Sequence, residues 1–200
     1  MISIRFNEEG FVADFDRVAG RLKRPSGLAR VLGREAGNQL KYHFREKQQR
    51  EPNKLGGKRK NFWRAVAQSV SSPTILDGGT AVRIAISHPA FAQKVHGGLI
   101  RAKRGKFLTI PVSKEAYGRT AATLEQERGI RLFALGKRDG QKGVLAELST
   151  TRGVVVHYVL RRSVDQKPDR TALPMKGVLL NALLIRARLY ADRLEDSSAN

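Results

Sequence analysis

The chain opens with Ile2, Ile4 and Phe6 alternating with Ser3 and Arg5, a period of two that predicts a short strand with one buried face. A helical period follows. Phe11, Phe15, Val18 and Leu22 share one face, and the run ends at Arg24-Pro25, because a residue before proline is pushed out of the α region. Ser26 stands where an N-cap belongs. From it Leu28, Val31, Leu32, Ala36, Leu40 and Phe44 hold one apolar stripe to about Gln49, the longest helix in the pattern. Gly33 and Gly37 lie inside that helix at a cost of about 1 kcal/mol each against alanine, so they predict a bend or a close approach by another helix.

Residues 50–60 carry proline, paired glycines and no period, and predict an exposed basic loop. Phe62, Trp63, Val66, Ala67 and Val70 then make a short amphipathic helix that stops before Pro73, with Trp63 as its core anchor. Thr74–Leu76 and Thr80–Ile86 flank Asp77-Gly78-Gly79, a hairpin signal, since glycine accepts the positive φ of tight turns. Residues 98–107 predict a second basic loop. In Phe107–Val112, Pro111 confines the apolar run to an edge or a strand end. Residues 113–129 are polar with weak helical spacing and predict a mobile loop. Strands at 130–135, 143–148 and 154–160 suggest a meander. From Leu173 to about Leu194 a helical face runs through Val178, Leu179, Ala182, Leu183, Ile185, Leu189 and Tyr190, leaving 195–200 as a frayed tail. This order predicts a single α+β domain over residues 1–200: an antiparallel sheet, long N-terminal helices and a closing C-terminal helix.

Composition sharpens the functional reading. The 200 residues include 38 Lys and Arg against 18 Asp and Glu, a formal charge of +20 spread over both halves of the chain. A chain of this length can bury about 70% of its unfolded surface, enough for a core without covalent staples. There is no cysteine, which excludes disulfides, thiolate metal sites and cysteine nucleophiles. No apolar run reaches the length of a membrane span and the first residues lack a signal-peptide core, so a soluble protein made in the cytoplasm is expected. The positive balance calls for an acidic partner, either nucleic acid or an acidic protein surface.

Chemistry is sparse. His43, His88, His96 and His157 show no i, i+3 or i+4 pairing, and are expected to pack, cap or hydrogen-bond rather than to ligate a metal. Glu125 with Glu127, and Asp14 with Asp16, alternate in polar segments and form no local metal cluster of the kind a nuclease needs. The Gly-Gly pairs at 56, 78 and 97 lack a phosphate-loop context, and no serine stands in a nucleophile elbow. No catalytic, metal or cofactor-binding residue is therefore assigned, and no cofactor is expected. The candidate functional residues are the basic ones: Lys54, Lys58, Arg59 and Lys60 in the first loop, and Arg101, Lys103, Arg104 and Lys106 in the second. Without interleaved aromatics or a helix-turn-helix spacing, any DNA contact they make is expected at the backbone and not at the bases.

Two stretches carry a family resemblance. They are His88-Pro89 with His96-Gly-Gly-Leu-Ile-Arg-Ala-Lys-Arg-Gly-Lys-Phe-Leu-Thr-Ile-Pro-Val, and His157-Tyr-Val-Leu-Arg-Arg-Ser-Val followed by Pro168-Asp-Arg-Thr-Ala-Leu-Pro. In these, and in the order of its elements, the chain resembles the virion morphogenesis or tail-completion proteins of tailed phages. The resemblance implies a non-enzymatic virion protein at the head-tail junction, or neck, completing or terminating the tail or joining it to the DNA-filled head. Copies of it would form a ring, hexameric by expectation, beside other neck, connector or tail-tube proteins, with nonspecific contact to packaged DNA. The basic loops would then be assembly elements or channel lining. A nonspecific double-stranded DNA-binding module is the alternative, and a metal-dependent nuclease with a dispersed site a more distant one.

Overall fold

A computed structural model of the chain describes residues 2–4, 25–51, 55, 61–103, 106–136 and 142–198. The expected helix over Phe11, Phe15, Val18 and Leu22, and most of the 50–60 loop, lie outside the described residues. The fold is α+β, with antiparallel sheets, a long helix early in the chain and a long helix at its end. Where the sequence predicts one domain, contacts divide the chain into two compact units: Met1–Arg50, Phe62–His96 and Asp169–Asn200 form the first, Glu51–Asn61 and Gly97–Pro168 the second.

The first unit is built around α1 (Pro25–Arg50). Leu28, Leu32, Ala36, Leu40 and Phe44 recur every fourth residue along one buried face, as the sequence stripe requires. Against that face pack Trp63 and Val66 of α2 (Phe62–Gln68), Phe91 of α3 (Phe91–His96), and Leu179, Leu183 and Ala187 of α5 (Lys176–Ser198). Trp63 is the expected anchor. It stacks on Phe44 with ring centroids 5.9 Å apart and takes the edge of Phe62 at 4.9 Å, an arrangement that adds to simple area burial.

A three-stranded antiparallel sheet completes the unit, in the order β1 (Ile2–Ile4), β3 (Ala81–Ile86), β2 (Thr74–Leu76), with Ile4 opposite Ile84 and Thr74 opposite Arg83. The Asp77-Gly78-Gly79 signal closes the β2–β3 hairpin with all three residues at positive φ. Gly79 is buried, and a Cβ there would stand 2.8 Å from the backbone nitrogen of Ser26. Of the two glycines that predict a close approach, Gly33 marks one, but its partner is this hairpin and not a helix: a Cβ there would stand 2.7 Å from Pro73 Cβ and 2.8 Å from Val82 Cγ1.

The face predicted for the C-terminal helix divides in two. Leu179, Leu183, Ala187 and Tyr190 turn to the core, whereas Val178, Ile185 and Leu189 are exposed, Val178 at 59% and Ile185 at 61%. The run was apolar on both faces, so periodicity alone did not separate the inward stripe from the outward one. Residues 195–198 continue the helix instead of fraying from it.

In the second unit, β5 (Leu108–Pro111), β8 (Gly153–Arg161), β7 (Lys142–Ser149) and β6 (Phe133–Gly136) form an antiparallel sheet in that order. Pro111 lies on the edge strand and at its end, where a missing N–H costs no ladder bond. Gly153, at φ 67°, turns β7 into β8, and a bulge between Leu145 and Ala146 shifts the register of that pair. A separate two-stranded ribbon joins β4 (Gly98–Arg101) to β9 (Ser163–Gln166), so the first part of the expected 98–107 loop is strand.

Residues 113–129 are ordered rather than a mobile loop. They contain α4 (Ala121–Arg128), capped by the Thr120 hydroxyl, which accepts the Thr123 N–H at 3.1 Å, and closed by Gly129 at φ 63°. Leu124 and Ala116 are buried with Tyr158, whose hydroxyl donates to the Arg119 carbonyl at 3.2 Å. Two turns with one deeply buried leucine carry too little apolar period to be seen in a sequence.

Candidate functional site

Of the eight basic residues singled out from the sequence, Lys54, Lys58, Arg59, Lys60 and Arg104 lie outside the described residues. Arg101, Lys103 and Lys106 are exposed at the connection from β4 to β5. Strand register explains what joins them. Arg101 pairs opposite Ser163 and Leu108 opposite Arg161, so the two strands that flank the predicted cluster are both paired at the Arg161–Ser163 segment, which adds Arg161 and Arg162 to Arg101, Lys103 and Lys106. None of these five cations makes a salt bridge among the described residues. Arg161 and Arg162 sit 55 or more positions beyond the cluster in sequence, and only the pairing of β4 with β9 and of β5 with β8 brings them to it.

A second basic surface, in the first unit, was not anticipated. Arg30, Arg34, Asn38 and Lys41 follow one another along α1 at helical spacing, and with Gly37 and the Ser71–Ile75 segment they line an open groove of about 730 Å³. Among the described residues no carboxylate lines it. Arg30 and Arg34 are exposed and Lys41 is half-buried, and none of the three has a salt-bridge partner among the described residues. The close approach at Gly33 builds the groove, because Pro73 rests against the helix at the residue before Arg34 and carries Ser72 and Thr74 alongside it. The signal was present in the sequence as the polar face of the longest helix, where it is indistinguishable from an ordinary solvated surface until the segment before β2 forms the opposite wall.

The segment Pro168-Asp-Arg-Thr-Ala-Leu-Pro folds as a clamp on the first unit's core. Asp169 accepts from Thr171 at its backbone N–H (2.9 Å) and hydroxyl (2.7 Å), and from Lys47 Nζ at 3.2 Å, with Lys94 Nζ at 3.5 Å. Lys47 Nζ also lies 4.5 Å from the centre of the Trp63 ring and donates to the Thr171 carbonyl. Burial pushes the Asp169 carboxyl up, but the Thr171 and Lys47 bonds outweigh it and hold the group at about 2. His43 Nε2 lies 3.0 Å from the same Thr171 carbonyl. Burial lowers this ring's pKa, the Thr171 bond opposes the shift and neighbouring Lys47 adds to it. Ala172 is buried in the core between these contacts.

One constellation has the residue types of nucleophilic catalysis. In the second unit Ser113 Oγ is 2.7 Å from His157 Nδ1, and His157 Nε2 is 3.4 Å from Glu147 Oε2. The second contact lacks hydrogen-bond alignment, so both Nε2 and Oε2 are buried without a hydrogen-bond partner. The ring is 2% exposed, and the serine oxygen also accepts the Ala116 N–H at 3.1 Å, as a cap of the turn that follows it. The geometry is that of a buried structural link from the 113–117 turn to β7 and β8. Spacing along the chain concealed it, because Ser113 and His157 are 44 residues apart.

His88 packs edge-on against Phe62 at 5.0 Å and accepts the Ala90 N–H at its Nδ1, a packing and capping role. Among the described residues no three His, Asp or Glu side chains converge as a metal site, and no helix is long and apolar enough to cross a membrane. Comparison with protein-family models, curated proteins and solved structures gives no match.

Proposed function

We propose that this chain is a non-enzymatic structural protein of a tailed-phage or prophage particle, acting at the head-tail junction as a ring of identical copies. The observation that carries the proposal is the resemblance of its two motif stretches to tail-completion proteins. Its physical support is that these stretches act together in the fold. Leu99–Arg101 pairs with Ser163–Asp165 and Leu108–Pro111 with Tyr158–Arg161, while the Pro168–Pro174 motif supplies the clamp around Asp169. Residues that define the resemblance are therefore residues on which the architecture depends.

A ring needs a heterologous contact, in which one patch on a protomer meets a different patch on the next. Two unlike apolar patches are available for it. On α5, Val178, Ile185 and Leu189 form an outward stripe preceded by Met175, which is 80% exposed. At one end of the β6–β7–β8 sheet, Phe133, Leu148, Val154 and Val156 are exposed, with Leu148 and Val154 directly opposite one another. Contiguous exposed apolar surface of more than a few hundred Å² marks contact sites, and these two groups of side chains are the ones that would supply it. The Arg101, Lys103 and Lys106 turn, with Arg161 and Arg162, then meets acidic neighbours or the DNA that crosses the junction, a contact that positions without reading sequence.

Electron microscopy of lysates from a producing strain with this gene deleted tests the reading. Full heads and separate tails, restored to joined particles by the gene supplied in trans, are expected. Intact infectious particles from the deletion strain would overturn it.

A further inference from the structure

We propose that the groove between α1 and the Ser71–Ile75 segment binds the sugar-phosphate backbone of double-stranded DNA without regard to sequence. The proposal rests on the groove's chemistry and does not depend on the head-tail junction reading. Its side chains, Arg30, Arg34, Asn38, Lys41, Ser72 and Thr74, belong to the set that contacts phosphate oxygens in protein-DNA complexes: guanidinium and ammonium groups for charge, amide and hydroxyl groups for the remaining lone pairs. Among the described residues no carboxylate in the lining offsets that charge.

Spacing supports a linear polyanion. With a rise of about 1.5 Å per residue, Arg30 and Arg34 stand about 6 Å apart along the axis of α1 and Lys41 about 10 Å further on. That row of about 16 Å matches the axial length of about five base pairs at a rise of about 3.4 Å, room for its three cations to meet separate phosphates. The row is held straight from behind, since Leu32, Ala36 and Leu40 of the same helix are buried in the core and the hairpin is locked against Gly33. A site of this kind needs no reorganisation to receive its ligand.

An acidic protein surface is the competing occupant, and the lining argues against it. Protein interfaces draw much of their energy from buried Trp, Tyr and Arg anchors, and among the described residues no aromatic side chain lines the groove to pack around its two arginines. The two exposed apolar patches lie elsewhere, on α5 and on the sheet of the second unit.

The test is fluorescence anisotropy of a labelled 30-base-pair duplex titrated with the full-length protein between 50 and 200 mM NaCl. Two duplexes of unrelated sequence should bind with equal affinity, and log Kd should rise linearly with log salt. The triple variant Arg30→Ala, Arg34→Ala, Lys41→Ala should lower that slope by about 2.7, close to 0.9 for each phosphate contact, and weaken binding at 50 mM NaCl by at least about tenfold. Thr74→Glu, which places a carboxylate in the groove and leaves every cation in place, should also weaken binding. Circular dichroism melts establish that both variants are folded before they are titrated. The proposal is overturned if folded triple and Thr74→Glu variants bind as the unaltered protein does. It is also overturned if the unaltered protein binds a polyglutamate peptide of matched charge while showing no salt-dependent binding of duplex.

Discussion

Lys47 and Asp169 stand 122 residues apart in sequence and meet at 3.2 Å, over the face of Trp63. The contact ties the approach to the C-terminal helix to the far end of α1, through a carboxylate whose four nearest donors are the Thr171 N–H, the Thr171 hydroxyl, Lys47 and Lys94. Removing the carboxylate takes the counter-charge from Lys47 and Lys94, of which Lys47 is the more buried and keeps its bond to the Thr171 carbonyl. Asp169→Ala is expected to cost about 3 kcal/mol, while Asp169→Asn, which keeps the Oδ1 acceptor toward Thr171 but puts an amide donor where Oδ2 accepts from Lys47, loses the ion pair alone and costs less. Urea denaturation of both variants at pH 7 measures the difference.

The same group sets the acid limit of the first unit. The folded Asp169 carboxyl, at about 2, lies below its unfolded value near 3.8, so its contribution is complete above pH 4 and is lost as pH falls through 2. His43 acts in a higher window. Its folded pKa is lowered, so the unfolded chain takes up the proton first, and stability falls as pH drops below the ordinary imidazole value of 6.5. Melting temperature should therefore decline between pH 7 and pH 5, and His43→Gln should flatten that decline while leaving the limb below pH 4 in place.

Gly33 is the position at which local and tertiary preferences conflict. In an isolated helix Gly33→Ala gains about 1 kcal/mol. Here the added methyl would stand 2.7 Å from Pro73 and 2.8 Å from Val82, against a proline ring and a β-branched side chain that have little freedom to move. Overpacking of this kind costs about 1–3 kcal/mol, so net destabilisation is expected. Gly37→Ala is the control: its nearest neighbour is Ile84 Cδ1 at 4.0 Å, and it should be stabilising. Thermal melts of the two variants should move in opposite directions.

Much of the fold was legible. The α1 stripe, the short helix around Trp63, the Asp77-Gly78-Gly79 hairpin, the edge position of Pro111 and the final meander all follow from period and turn chemistry, because each depends on residues close together in sequence. What was not legible depends on distant partners. The ordered 113–129 segment is held by Leu124 against Tyr158, the ribbon of β4 and β9 pairs residues more than 60 apart, and the outward stripe of α5 is defined only by what the inward stripe touches. The candidate surfaces divide in the same way. Arg101, Lys103 and Lys106 were conspicuous as a run of charge, whereas Arg30, Arg34 and Lys41 are spaced so that each looks like an isolated surface cation until the Ser71–Ile75 wall makes them one groove.

Glu147 and His157 face each other at 3.4 Å without a hydrogen bond, which makes the carboxylate a buried charge with incomplete compensation. A neutral amide of the same shape removes the charge and offers the ring nitrogen either its oxygen or its N–H, as the imidazole tautomer requires. Glu147→Gln should therefore leave stability unchanged or raise it by about 1 kcal/mol, whereas His157→Ala, which also leaves a void and removes the partner of Ser113, should cost about 3 kcal/mol. Chemical denaturation at pH 7 distinguishes the two, and a loss for Glu147→Gln comparable to that for His157→Ala would show that the carboxylate is well compensated, contrary to this account.

The basic turn of the second unit should separate assembly from folding. Arg101→Glu, Lys103→Glu and Lys106→Glu together replace exposed cations that make no salt bridge among the described residues, so the melting transition should stay within about 1 kcal/mol of the unaltered protein. Particle yield in a complementation assay should fall. Normal yield from the folded triple variant would remove this turn from the assembly surface.

The central claim is that this protein is a constituent of the finished particle, and quantitative mass spectrometry of gradient-purified infectious virions addresses it directly. The account predicts the chain in every preparation, at a fixed small number of copies per particle consistent with one ring. Its absence from infectious particles would contradict the claim.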